Sequence, residues 1–179
     1  DSGSFSGINF LSNQGNAFYG KGYVLVEDCL FEGNSTTHLT GIIAARRAWG
    51  EFRRLLIQNN RGVGISCIRD SSVFEDIIVI NNQGSNCGGA YFNSSTTVIN
   101  RALFASNSTT DDRMGSALKF DGGAYTVLSN ITVAAGENPG APLIWFNGGV
   151  WPVIINTIFD RNQDDLFAFW SSGASITFA

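Results

Sequence analysis

The sequence predicts an all-β chain wound into a three-sided coil that stacks on itself. Three observations carry this: short apolar runs that recur about every 25 residues, turn residues that bound each run, and no stretch with helical periodicity. The segment from Thr97 to Gly123 shows the unit. Val98-Ile99, Ala102-Leu103-Phe104 and Ala117-Leu118-Lys119-Phe120 are each too short for a helix, and each is bounded by Asn, Ser, Asp or Gly. The pattern starts again at YTVLSNITV and at WPVIINTIF.

The first run of each coil ends in Phe, Ile or Val, with Asn three residues later. It appears as Phe10/Asn13, Phe31/Asn34, Ile57/Asn60, Val79/Asn82, Phe104/Asn107 and Phe159/Asn162, with a degenerate copy at Val133/Gly136. From Phe10 to Phe159 there are 149 residues in six intervals, and 149/6 is close to 25. The separate spacings are 21, 26, 22, 25, 29 and 26, so length varies while the strand pattern holds. The variation belongs to the loop after the Asn, short in QNNRGVG and long in SNSTTDDRMGS.

The second run follows that loop: Ala17-Phe18-Tyr19, Ile42-Ile43-Ala44, Gly64-Ile65-Ser66-Cys67, Gly89-Ala90-Tyr91-Phe92, Ala117-Leu118-Lys119-Phe120, Leu143-Ile144-Trp145-Phe146 and Phe167-Ala168-Phe169-Trp170. A Gly-, Ser- or Asp-rich turn leads to the third run, at Tyr23–Val26, Ser72–Phe74, Thr97–Ile99, Tyr125–Leu128 and Trp151–Ile155. Between third and first runs lie Gly7, Asp28, Arg54, Asp76, Arg101, Asn130 and Asn156. Five of these seven are Gly, Asp or Asn, which tolerate the left-handed backbone that a one-residue bend requires. Stacked on successive coils, Asp28, Arg54, Asp76 and Arg101 form an ion ladder of alternating sign, and Glu27, Arg53 and Glu75 repeat it one residue earlier. Asn130 and Asn156 continue the column as an amide ladder.

The F-x-x-N tetrads, Gly88-Gly89-Ala90 and the bend residues Asn130 and Asn156 resemble the right-handed parallel β-helix family, which includes pectate-lyase-like proteins and polymorphic outer-membrane-type surface proteins. The resemblance covers nearly the whole chain. It implies a single solenoid domain over residues 1–179, with three strands per coil and about seven coils. Seven coils at ~4.8 Å make a rod of roughly 30–35 Å. Both ends of the sequence look uncapped, so a segment of a longer rod, docking end to end on flanking coils or other copies, is expected.

Composition narrows the function. Hydrophobic residues make up 44% and charged residues 15%, and the net charge of −4 argues against nucleic acid as a partner. No apolar run is long enough to insert into a membrane. Cys29, Cys67 and Cys87 have no metal-ligand spacing to the single histidine, His38, and read as buried small apolar residues; one disulfide with a spare thiol is the other arrangement. No cofactor, metal or catalytic residue is assigned. Asp111, Asp112, Arg113 and the Asp164-Asp165 pair read as solvated loops, and Asp76 between Arg54 and Arg101 as part of the ladder.

Strand alternation turns Lys119 outward if Leu118 and Phe120 face the core, and the same register exposes Tyr91 and Trp145. With Asn93, Asp121 and Asn147 two residues on, these form an aromatic and polar strip suited to a glycan chain. Sequons occur at Asn34, Asn93, Asn107 and Asn130, as in a secreted glycoprotein. Together these features predict an extracellular or cell-surface rod, structural or adhesive, non-enzymatic and polysaccharide-binding. The alternative is a polysaccharide lyase or glycoside hydrolase fragment of the pectate-lyase-like class.

Overall fold

The computed structural model describes residues 2–37, 40–111, 115–134, 141–160, 166–169 and 175–178. Among them every regular element is a strand, every strand pairing is parallel, and no helix is long and apolar enough to cross a membrane. The chain is a right-handed parallel β-helix. His38, Asp112, Arg113, Asp164, Asp165 and Trp170, singled out above, lie outside the described residues.

Register fixes the coil. The motif positions pair in series as Phe10, Phe31, Ile57, Val79, Phe104, Val133 and Phe159, which is six turns from first to last. The second runs stack in the same way, from Phe18 through Ile43, Ile65, Ala90, Leu118 and Ile144 to Phe167. Third and first runs fuse into one strand with a bend inside it: Glu51–Gln58, Val73–Ile80, Val98–Ala105 and Val127–Ala134. The bend residue drops out of the pairing, and the inward-outward alternation restarts after it.

Among the described residues the coils turn on three columns of left-handed residues. The first column is the expected one: Gly7, Asp28, Arg54, Asp76, Arg101, Asn130 and Asn156 all have φ between 46° and 65°. A second column, Ser12, Gly33, Asn59, Asn81 and Ser106, sits just before the motif Asn. A third, Gly22, Arg47, Arg69, Ser94, Gly122 and Gly148, follows the second run. A lone left-handed residue turns the strand without a loop, which keeps the coil triangular.

The interior is ladders of like on like. Phe52 stacks on Phe74 with ring centroids 4.5 Å apart, and Phe10 on Phe31 at the same distance. Phe92, Phe120, Phe146 and Phe169 stack at 5.0, 5.3 and 5.0 Å, near the strand spacing that parallel pairing imposes. Cys29, Cys67 and Cys87 are buried free thiols, so the disulfide arrangement does not occur.

Candidate functional site

The motif asparagines point inward. Asn34, Asn60, Asn82 and Asn107 are buried, and each side-chain oxygen accepts both the backbone N–H and the amide N–H of the Asn one coil before. Each of these amides also donates to a carbonyl of the preceding coil: Phe10, Phe31, Ile57 and Val79 in turn. The expected amide contact at the first bend is present as well, Asn156 donating to Asn130 at 3.2 Å, but the longer amide ladder is this one along the motif Asn column. Of the sequon residues, Asn34 and Asn107 are buried members of this ladder. Asn130 is exposed and Asn93 half-buried.

At the first bend Arg54 bonds Asp28 at 2.6 Å and Glu27 at 2.8 Å, and Arg101 bonds Asp76 at 2.6 Å and Glu75 at 2.8 Å. These hydrogen bonds hold the Asp28 and Asp76 carboxyls below the ordinary aspartate range and raise both guanidinium pKa values. Arg53 joins Glu51 and lies 3.9 Å from Glu75. The alternating charges therefore answer one another, leaving this cluster saturated.

The expected glycan strip is brought together but covered. Tyr91, Lys119 and Trp145 are in register, yet only 3%, 5% and 7% exposed. Alternation does turn them away from the Phe stack, but at Trp145 the neighbouring coil's loop residue Gly115 lies against that outer face. Gly115 lies so close that a Cβ there would stand 2.9 Å from the Trp145 nitrogen. Lys119 Nζ sits 5.6 Å from the Tyr91 ring centroid. The Tyr91 hydroxyl accepts from Asn93 at 2.8 Å and donates to Asp121 at 3.4 Å, and Asn147 donates to Asp121 at 2.9 Å. Tyr91, Asn93, Lys119, Asp121 and Asn147 make a partly buried network that links neighbouring coils, and burial pushes the Tyr91 hydroxyl up.

A second buried group sits inside the third corner. Asp70 accepts from the Ser72 backbone N–H at 3.0 Å and from the hydroxyls of Ser72 at 2.9 Å and Thr97 at 3.2 Å. Burial raises its pKa, and burial likewise pushes the Cys67 thiol far up and the Cys87 thiol to about 12. Among the described residues no group of three His, Cys, Asp or Glu side chains gathers to hold a metal ion.

The open, unsaturated feature lies outside that corner. Tyr19, Lys21, Arg46, Arg47, Arg69 and Asn93, with Ile68 at the base, line a groove of about 400 Å³. All four cations are exposed, and none forms an ion pair with a described residue. Sequence reasoning missed this groove because its cations come from three coils, and only the third bend column, unseen in sequence, aligns them. No protein-family model matches the chain, and no curated protein matches it.

Proposed function

We propose that the protein is an extracellular structural or adhesive rod that performs no chemistry. The observation that supports this most is the asparagine ladder from Asn13 to Asn107, in which each amide binds the next coil. Phe stacks and the bend ion pairs repeat the same lengthwise logic. Asp76, Arg54 and Arg101, the residues nearest to a lyase-like arrangement, are tied up in mutual ion pairs on an exposed edge. An acidic surface and the exposed sequon residue Asn130 suit a secreted protein. Its partners are then polysaccharide along the side of the rod and further coils at its ends. Incubation with polygalacturonate or alginate and calcium tests the non-enzymatic part: no unsaturated-uronate absorbance is expected, and a calcium-dependent rise would establish the lyase alternative.

A further inference from the structure

We propose that the groove at the third corner is a binding site for a sulfated polysaccharide, a site that stands whether or not the rod also does chemistry. Lys21, Arg46, Arg47 and Arg69 are four of the chain's 11 Lys and Arg residues, gathered on three adjacent coils of a protein with net charge −4. Arg46 pairs in register with Ile68, so Arg47 and Arg69 occupy the same bend on neighbouring coils, roughly one strand spacing (~4.8 Å) apart. Lys21 stands opposite the Arg46–Arg47 pair across a register shift between Gly20 and Gly22. Like charges stacked this way repel. At the first bend column the chain relieves such repulsion with Asp28 and Asp76; here no acid lines the groove. The nearby carboxylates face elsewhere: Asp70 is buried inside the corner, and Asp121 is bound to Asn147 and Tyr91.

Backbone strain points the same way. Arg47 and Arg69 adopt φ of 52°, where arginine is unfavourable, in a column whose other members include Gly22, Gly122 and Gly148. Three of the column's four other members are glycine and the fourth is Ser94; arginine takes the same strained bend at Arg54 and Arg101, but there with acidic partners. Guanidinium groups match multi-oxygen anions in forked geometry. Tyr19 adds a ring 54% exposed beside them, which suits the face of a sugar. A polyuronate carries one carboxylate per ring; four cations on three coils match a chain with denser oxyanions.

Binding is measured at low salt with dextran sulfate, polygalacturonate, neutral dextran and duplex DNA as probes, by calorimetry. Dextran sulfate is expected to bind at least about tenfold more tightly than the other three. The double variant Arg47→Gly/Arg69→Gly should lose about tenfold or more in affinity while its melting temperature holds or rises, because glycine relieves the left-handed strain. Arg54→Gly/Arg101→Gly makes the same change in net charge and should leave affinity within about twofold. Tyr19→Ala should weaken dextran sulfate binding several-fold. Should the glycine pair fail to fold, Arg47→Gln/Arg69→Gln removes the charges without altering the bend. No binding of dextran sulfate overturns the proposal. So do equal losses in the two double variants, which indicate diffuse charge, and equal affinity for polygalacturonate or DNA, which indicates a different anion.

Discussion

Asn82 joins three coils with one side chain. Its oxygen accepts from Asn60 on the coil before, and its amide donates to Ile57 and to Asn107 on the coil after. Asn82→Ala strands the buried Asn60 N–H and the Ile57 carbonyl, and at about 1–3 kcal/mol for each stranded group it should destabilise the chain by about 3 kcal/mol. Urea unfolding checks this; a change within error would mean that the ladder contributes little. The aspartates titrate with opposite sign. Asp28 and Asp76 have lowered pKa values, so their stabilisation is present above the ordinary aspartate range and fades as pH falls through the folded value. Asp70 has a raised pKa, so the folded chain holds a proton that the unfolded chain has released. Stability attributable to Asp70 therefore falls as pH rises from the ordinary aspartate value through the raised one. Asp70→Asn should remove that falling limb and leave the acid limb; superimposable pH–stability profiles for the two proteins would contradict the assignment.

At the scale of the element, the strands were legible and their cover was not. Runs such as Ala102-Leu103-Phe104 announce themselves by length and bounding turn residues, and all seven members of the first bend column behave as read. The third run of the coil between Val26 and Ser72 escaped notice because Glu51 and Arg53 flank a single buried Phe52. The third bend column escaped because arginine at 47 and 69 reads as solvated charge, whereas Asp or Gly reads as a bend. Alternation correctly turned Tyr91, Lys119 and Trp145 outward but carries no information on whether a loop lies over them. The closest approaches between neighbouring coils need glycine. A Cβ on Gly88 would stand 2.6 Å from the Ser108 nitrogen, so Gly88→Ala should be strongly destabilising although it only adds a methyl. In the Phe stack, Phe120→Ala should cost about 3–5 kcal/mol, since Phe92 and Phe146 are held at strand spacing and cannot close the gap. Calorimetric melting orders both against the exposed Ile78→Thr, expected to be near neutral; parity among the three would deny a rigid stack.

For the whole molecule, stacking leaves apolar surface on the outermost described coils. Phe5 and Leu11 are exposed at one end, and Phe169 and Phe178 are 54% and 60% exposed at the other. Unpaired strand edges carrying such residues favour association, so the 179-residue chain should self-associate at micromolar concentration. Sedimentation velocity decides this, with Phe169→Lys expected to shift the distribution toward monomer and an unchanged monomer in both proteins contradicting it. The stack itself is tested most directly by engineered cross-links along the first bend, where the three native thiols, all buried, do not compete. Asp76→Cys/Arg101→Cys places two thiols on adjacent coils, one strand spacing (~4.8 Å) apart and within disulfide reach. Arg54→Cys/Arg101→Cys places them two coils apart, beyond it. Mild oxidation should close the first pair rapidly within the monomer and leave the second open. Equal closure of both pairs, or closure of neither, would contradict the parallel β-helix.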